Sequence, residues 1–335
     1  MTIISVENLK KRFNLEAGFF ARFGRFVYAV NGVSFSINEN ESYGLVGESG
    51  CGKTTTARLL VRMYRHDEGS IIWRAGNDVA ALTGRALKNY REKVKYVFQD
   101  PARSLNPRMT VYEVLTAGYR WSPSWPGHAE ARREAAAILE ETGLSARDLE
   151  RRPVEFSGGQ RQRISIARGL IMKPELLICD EVVSALDVSV QGQILNLLLD
   201  LKSRHRLSLL FIAHDLKVAS YFCDRIGVMY RGELVEEAPA DNLYQTGRHP
   251  YTELLFRSAR AGHFAAKNAA REGGAGEAEI IRGEAATALA EITGCFFAGR
   301  CPRAEEICRR EHPLWRTLPS GNGTAHRVRC HRIDD

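Results

Sequence analysis

The amino-acid sequence predicts an α/β protein with a mostly parallel sheet that is covered by helices on both faces. The first observation is a glycine-rich loop, Gly47–Thr54, between an apolar strand-like segment over 42–46 and a helix-like segment over 55–61. The second is that short apolar strands alternate with helical patterns along the chain. The third is an acidic pair directly after the apolar segment 176–179. Together they predict a P-loop NTPase.

Size and composition limit the classes of protein to consider. The chain has 335 residues, 44% hydrophobic and 26% charged, which suits one large or two moderate domains. No apolar run approaches the ~20 residues of a membrane-spanning helix. The N-terminus has no basic region followed by an apolar run, so no signal peptide is evident and a cytoplasmic location is expected. The net charge of +7 is dispersed, so nucleic-acid binding is not expected.

The remaining elements follow from apolar periodicity. Two alternating segments, 5–9 and 30–37, predict half-buried strands before the glycine-rich loop. The aromatic and basic segment Gly18–Phe26 between them predicts either a loop packed on a neighbour or subunit, or a hairpin extension. The other predicted elements are strands over 69–73, 94–98, 176–179, 209–213 and 226–229, and helices over 86–93 and 130–142, the latter within a helical region from 110 to about 151.

The glycine-rich loop has the composition of a phosphate cradle. Its glycines allow successive backbone N–H groups to point at an anion. Lys53 is expected to reach the outer phosphates, and the Thr54 hydroxyl is expected to hold Mg²⁺. An ordinary glycine-rich turn before a helix is the alternative. The residues expected to bind the nucleotide are Gly47, Glu48, Ser49, Gly50, Cys51, Gly52, Lys53, Thr54 and Thr55.

An acidic pair, Asp180 and Glu181, follows the apolar segment 176–179. The carboxyl end of a parallel strand is where ligands bind in open α/β sheets. Asp180 is expected to hold Mg²⁺ through its water shell, and Glu181 to polarise the attacking water. The alternative is a solvated acidic pair at a strand end, which the phosphate loop in the same chain argues against.

A second glycine-led helix start, the run 157–160, lies far along the sequence from the first. One nucleotide needs only one anion-binding helix start, so a second makes sense if it serves the nucleotide of another subunit. This run resembles the signature sequence of the nucleotide-binding subunits of ABC transporters. The resemblance implies that four residues bind the partner's ATP in trans, namely Ser157, Gly158, Gly159 and Gln160.

Other motifs of that family fall in the matching order. Gln99 resembles the Q-loop glutamine, which contacts the metal and moves with the membrane subunit. The run 184–187 resembles the D-loop, so Asp187 is implied to act at the partner's ATP. His214 resembles the catalytic switch histidine, and Tyr28 resembles the aromatic residue that stacks on adenine. Taken singly, His214 is as well explained as a structural histidine and Tyr28 as a surface aromatic.

The resemblance also implies a domain organisation. An ABC-type P-loop NTPase has a RecA-like parallel sheet core, an antiparallel β subdomain and a helical subdomain, here expected at about 100–160. The cassette is expected to span 1–258. A linker rich in alanine, glycine and glutamate is expected over 259–293, and a small cysteine-rich extension over 294–335.

Further segments narrow the resemblance to the oligopeptide/dipeptide/nickel importer branch. These are 98–110, 184–191 and His249–Thr252, and the aromatic segment Gly18–Phe26 is similar to that of the second ATPase such importers pair. The chain departs from the family at Val182, where a proline is usual. Because proline stiffens a strand exit, we expect Val182 to loosen the D-loop without abolishing hydrolysis.

Seven cysteines are unevenly placed, and disulfides are not expected in a reducing compartment. Three of them, Cys51, Cys179 and Cys223, are interpreted as small buried residues. The spacing in the tail is not that of a zinc finger or a ferredoxin. The resemblance implies a module that holds a [4Fe–4S] cluster, with zinc and no metal as alternatives. Its four cysteines are Cys295, Cys301, Cys308 and Cys330.

The resemblance implies an ATPase that energises a binding-protein-dependent importer of di- or oligopeptides, using ATP and Mg²⁺. Its expected partners are a second ABC ATPase subunit, forming a heterodimer, two membrane permease subunits and an extracytoplasmic substrate-binding protein. The expected location is the cytoplasmic face of the cell inner membrane. The alternative is a soluble ABC ATPase of a cytoplasmic or nucleic-acid-processing complex. A single cassette without a coiled coil or a basic stripe disfavours it.

Overall fold

The computed structural model describes residues 1–14, 26–74, 76, 78–257, 293–318 and 325–333. Among these residues, no helix combines the length and apolar character needed to cross a membrane. The predicted loop over 18–26 and the predicted linker over 259–293 lie outside the described residues except for the last residue of each.

A three-stranded antiparallel sheet of order β2-β1-β4 contains the N-terminus. Its strands are β1 (Thr2–Asn14), β2 (Phe26–Asn38) and β4 (Glu68–Trp73). The first two are longer than the alternating segments predicted, because the pairing of β1 and β2 continues through polar residues as far as Asn14 and Phe26. This sheet is the antiparallel β subdomain that the resemblance implied.

An eight-stranded sheet forms the core, in the order β10-β11-β9-β8-β3-β7-β6-β5. Five of its strands run parallel, as the alternation of strands and helices predicted. These five are β3 (Ser42–Val46), β5 (Val94–Val97), β6 (Leu176–Asp180), β7 (Ser208–Ala213) and β8 (Arg225–Tyr230).

Helices connect the strands, and the main predicted ones are present with ends within two residues of those expected. The segment between β5 and the signature run is helical, in the region where a helical subdomain was expected. The helices include α1 (Lys53–Leu60), α2 (Gly84–Lys93), α3 (Pro101–Ser104), α4 (Val111–Thr116), α5 (His128–Glu141), α6 (Gly158–Leu170), α7 (Val188–His205), α8 (Leu216–Phe222) and α9 (Ala240–Thr246), and a further short helix, α10 (Glu306–Arg310), lies in the C-terminal region.

Both faces of the parallel sheet are covered, as predicted. Alternate residues of a strand point to opposite faces. Leu176 and Ile178 of β6 join a core cluster with residues of α1 and the antiparallel sheet. Leu177 and Cys179 join a second cluster with residues of α6, α7 and α8. The carboxyl ends of the parallel strands therefore lie together at one end of a sheet that is packed on both faces.

Three strands on the side of the sheet beyond β8 were not predicted from the sequence. Strand β9 (Glu233–Pro239) pairs antiparallel with β8. The hairpin β10 (Trp315–Leu318) and β11 (His326–Arg329) then pairs with β9. The C-terminal residues therefore extend the main sheet of the cassette.

Candidate nucleotide-binding site

The phosphate loop follows β3 and leads directly into α1, which begins at Lys53. Gly50 and Gly52 have φ of 78° and 109°, a region that glycine adopts at little cost. A Cβ on Gly52 would lie 2.1 Å from the Ala29 carbonyl oxygen of β2. Glycine is thus required at Gly52 both for the turn and for the packing of the loop on β2.

Lys53 lies across this loop with only 3% of its surface exposed. Its Nζ donates hydrogen bonds to the carbonyl oxygens of Gly47 at 2.7 Å and Glu48 at 2.9 Å. The ammonium is held at the loop, where its donors are placed for a phosphate. Lys53 therefore lies on the loop, and its contact with the outer phosphates stays a prediction.

Thr54 and Asp180 meet at the carboxyl end of β6. The Thr54 hydroxyl donates to Asp180 Oδ1 at 3.1 Å, and the Tyr96 hydroxyl donates to Oδ2. Asp180 is 2% exposed. Burial, and then the Asp180 charge, raises the pKa of Tyr96 well above its usual value, so this phenol remains a donor. Adjacent hydroxyl and carboxylate oxygens are hard ligands that suit Mg²⁺.

Glu181 follows Asp180 at a sharp turn, with a left-handed φ of 47°. The Gln99 side-chain amide donates to Glu181 Oε2 at 2.6 Å, and Ser184 Oγ donates to the Glu181 carbonyl at 2.9 Å. Val182, which stands in place of proline, is buried at 1% exposure. The structure therefore brings two predicted catalytic residues, Gln99 and Glu181, into direct contact.

His214 completes the predicted catalytic group. It follows β7, is exposed, and lines a pocket of about 80 Å³ together with Glu181 and Ser184. A histidine and a glutamate on one small cavity are well placed to act on a water molecule. The three predicted catalytic residues thus lie at neighbouring strand ends.

Tyr28 is half-buried on β2, next to the residue that packs on the phosphate loop. The turn after β8 fixes this arrangement. The Gly232 N–H donates to the Cys51 carbonyl at 2.8 Å, and the Asn31 N–H donates to the Gly232 carbonyl at 2.8 Å. Strand β2 is therefore tied to the loop, and stacking of Tyr28 on adenine stays a prediction.

The signature run forms the start of α6. Ser157 Oγ accepts from the Gln160 N–H at 3.3 Å, and Gln160 Oε1 accepts from the Ser157 N–H at 3.0 Å. This reciprocal capping box fixes the helix start. A Cβ on Gly159 would lie 2.8 Å from Val190 Cγ1, so a glycine permits the close packing of α6 on α7.

The polar residues of the signature run, and Asp187, are open to solvent. Ser157, Gln160 and Asp187 are exposed. Asp187 precedes α7, and its side chain makes no capping hydrogen bond. No hydrogen bond or ion pair among the described residues joins 157–160 to Gly47–Thr54. The chain's own fold therefore leaves these groups available to another molecule.

The four tail cysteines converge on one pocket of about 10 Å³, each as a free thiol. Burial raises the pKa of Cys295 to about 11, and it also raises the pKa of Cys301 and Cys330. Over the described ranges, no group of three or more His, Cys, Asp or Glu side chains is placed to hold a metal ion. The other three cysteines are buried as predicted, namely Cys51, Cys179 and Cys223.

One contact at the loop was missed by reasoning from the sequence. Both terminal nitrogens of Arg300 donate to the Glu48 carboxylate, at 2.8 Å and 2.9 Å. The two residues are 252 positions apart, and no local pattern pairs residues at such a distance. The tail therefore touches the nucleotide site through a residue that the sequence marked only as part of the loop.

Comparison with known proteins agrees with this geometry. Residues 30–184 match the family model "ABC transporter", and residues 235–308 match "Oligopeptide/dipeptide transporter, C-terminal region". The oligopeptide transport ATP-binding protein AppF of Bacillus subtilis is 39% identical, covering 98% of this chain and 97% of AppF. The probable peptide ABC transporter ATP-binding protein y4tS of Sinorhizobium fredii is 41% identical, covering 98% and 90%.

Solved structures show the same fold. The dimeric post-hydrolysis state of the ATP-binding cassette MJ0796, bound to ADP and Pi, superposes with a TM-score of 0.61. It is 27% identical, covering 71% of this chain and 98% of that one. The cbiO1 cassette from Clostridium perfringens has a TM-score of 0.62 at 23% identity, covering 79% and 99%. The chain therefore belongs to the ATP-binding subunits of ABC transporters of the oligopeptide/dipeptide type, and it is an ATPase.

Proposed function

We propose that this chain uses ATP hydrolysis to energise the import of di- or oligopeptides across the cell membrane. The observation that carries the proposal is that one chain combines an ABC-type nucleotide site with the oligopeptide/dipeptide C-terminal region over 235–308. Relatives that match nearly the whole chain are named for peptide transport. We propose the cytoplasmic face of the cell inner membrane as its location, because an importer's ATPase has to reach the ATP of the cytoplasm.

Residues of the loop and of β6 would hold MgATP. Lys53 would bind the outer phosphates, while Thr54 and Asp180 would hold Mg²⁺, which neutralises phosphate charge. The contact between the Thr54 hydroxyl and the Asp180 carboxylate at 3.1 Å supplies the oxygen ligands that this ion prefers. Glu181 would accept a proton from the attacking water. Gln99, which is hydrogen-bonded to Glu181, would transmit the change that accompanies hydrolysis to the helical region.

The complete site would form between two ATPase subunits arranged head to tail. In that arrangement the run 157–160 and Asp187 of one subunit would contact the ATP on the loop of the other. Two observations support this: the exposure of Ser157 and Asp187, and the dimeric state of the similar cassette MJ0796. We propose a related second ATPase as the partner, giving a heterodimer.

A groove beside Gln99 is the proposed docking site for a cytoplasmic segment of a membrane permease. This cavity of about 400 Å³ lies between β5, α4 and α6 and includes Phe98, Met109 and Leu115. Phe98 directly precedes Gln99, so an occupant of the groove would move with the Q-loop. Burial lowers the pKa of Lys95, at the groove wall, to about 8. Two permease subunits and a substrate-binding protein would complete the importer.

The test of this function is recovery of the tagged chain from its own membranes. We expect membrane permeases to co-purify, and we expect Met109→Arg, which places a charge in the groove, to release the chain from them. Met63→Arg is the matched control, because Met63 is 46% exposed outside the groove. Co-purification with nucleic acid or only with soluble proteins would instead support a soluble ABC ATPase.

We also propose that the tail cysteines hold a metal centre, a [4Fe–4S] cluster in preference to zinc. Four thiols line one pocket and equal in number the ligands of either group. Their side chains as placed among the described residues do not form a metal-binding group, so they would have to move together to hold one. The test is anaerobic purification followed by assays of iron, sulfide and zinc. We expect Cys308→Ser to lose the metal and Cys223→Ser, a buried cysteine outside the tail, to retain it. A folded wild-type protein that contains no iron, sulfide or zinc would contradict the proposal.

A further inference from the structure

Glu48, the second residue of the phosphate loop, is held at three points. Its N–H donates to the Tyr251 hydroxyl at 2.8 Å. Its carbonyl oxygen accepts from Lys53 Nζ at 2.9 Å, and its carboxylate accepts both terminal nitrogens of Arg300. Two of the three contacts come from residues after β9. The C-terminal part of the chain therefore determines where this loop residue lies.

The contact with Arg300 is well fixed. The Glu48 and Arg300 side chains are 25% and 14% exposed, so solvent weakens the pair only in part. The guanidinium lies 5.8 Å from the Tyr230 ring and 5.9 Å from the Phe297 ring. Hydrogen bonds to Glu48 raise the pKa of Arg300 above its usual value. A bidentate pair seated against two aromatic rings has one preferred geometry.

The Glu48 carboxylate has the same sign of charge as the phosphates that the loop is expected to bind. The loop must accept a polyphosphate, and an unpaired carboxylate on the loop would repel it across a partly buried site. Arg300 neutralises that carboxylate and holds it in one orientation. Removal of Arg300 would therefore leave an unpaired negative charge on the phosphate loop and remove one of the three contacts that hold Glu48.

We propose that Arg300 is a positioning residue of the nucleotide site, which tunes ATP affinity by neutralising and orienting Glu48. The C-terminal region thus completes the phosphate loop in addition to extending the sheet. Arg300 acts through Glu48 and not on the ATP itself. The effect of its loss therefore depends on the carboxylate of Glu48.

The test is a double-mutant cycle on the full chain, with the Kd of a fluorescent ATP analogue and Mg²⁺ as the readout. We expect Arg300→Ala to raise Kd about 10-fold, and KM to rise more than kcat falls, since a partly buried charge is left unpaired. Arg300→Lys keeps the positive charge but loses the two parallel donors of the guanidinium, so we expect Kd to rise about 3-fold. Arg300→Ala combined with Glu48→Gln should fall within about 2-fold of Glu48→Gln alone.

Arg303→Ala is the matched control. Arg303 makes a second bidentate pair in the same region, with Glu253 at 2.9 Å and 2.8 Å, and its side chain is more exposed than that of Arg300, at 45% against 14%. We expect its Kd to stay within about 2-fold of the wild type. The proposal is overturned by an unchanged Kd for Arg300→Ala, by an equal rise for Arg303→Ala, or by no recovery with Glu48→Gln. If Arg300→Ala does not fold, Arg300→Lys decides through the same cycle.

Discussion

The two glycine-led helix starts of this chain have opposite surroundings. At the first, Lys53 contacts the loop carbonyls, Thr54 contacts Asp180, and Glu48 contacts Arg300. At the second, Ser157 and Gln160 are exposed and bond to each other. The first half of the proposed nucleotide site thus has its contacts within the chain, whereas the residues proposed as its second half are exposed.

The caps of the two helices differ in the same sense. Gly52 precedes α1 and offers no side chain to its free N–H groups, so these remain available to phosphates. Ser157 caps α6, and its side chain accepts a hydrogen bond from one of the free N–H groups at the start of that helix. This difference fits the proposal that α1 binds the nucleotide of its own subunit and that α6 closes over the nucleotide of the partner.

The largest expected effect separates binding from hydrolysis at the first half. Because Glu181 lies next to Asp180 and contacts Gln99, we expect Glu181→Gln to retain ATP binding and to slow turnover by about 10²–10⁴-fold, the usual contribution of a positioned base. Steady-state ATPase assays and Kd measurements check this. Glu140→Gln, an exposed residue of α5, is the control, and near-normal turnover by Glu181→Gln would remove Glu181 from the catalytic role.

A charge at the second half tests whether it acts on another subunit. Asp and Asn are both good N-caps, so Ser157→Asp and Ser157→Asn should fold equally well. We expect only the Asp variant to lower ATPase turnover in the assembled importer, by about 10²-fold, because its charge would face the partner's phosphates. ATP affinity of the isolated chain should change in neither. Equal losses in both variants would show that the hydroxyl or the small size of Ser157, not the charge, matters.

The smallest expected effect concerns the adenine. Tyr28 is half-buried on β2, beside the strand segment that packs on Gly52. Base–aromatic stacking contributes about 1–3 kcal/mol, so we expect Tyr28→Ala to raise the Kd for ATP about 10-fold. Tyr28→Phe keeps the ring and should bind ATP normally. A Phe variant as weak as the Ala variant would argue for the hydroxyl instead of the ring.

The first half of the site was predictable from the sequence because its signals are local. A strand, a glycine-rich loop and a helix in order place Lys53 and Thr54 correctly, and a buried strand followed by two acids places Asp180 and Glu181. Their contacts with each other follow from parallel strands ending at one edge. The sequence also indicated, from the surplus of helix starts, that the Ser157 run serves another subunit; the exposure of Ser157 fits that interpretation, which stays a prediction.

The C-terminal edge was not predictable in the same way. Strand β9 carries Glu236 and Glu237, which have the composition of a solvent-facing segment, yet both are buried. Glu237 pairs with Arg225 and Arg327, and Glu236 pairs with His326 at 2.7 Å. Burial of charges depends on partners brought together by the fold. The pair of Glu48 and Arg300 was missed for the same reason.

The central claim is that one ATP molecule is bound by two ATPase subunits. Sedimentation velocity of the Glu181→Gln chain tests it most directly, alone and mixed with the second ATPase that co-purifies with it. We predict that MgATP raises the mass to about twice the 37.5 kDa of the chain in one of these two samples, the chain alone or the mixture. MgADP and Ser157→Asp should both prevent the rise. A mass that stays monomeric in MgATP in both samples would contradict the account.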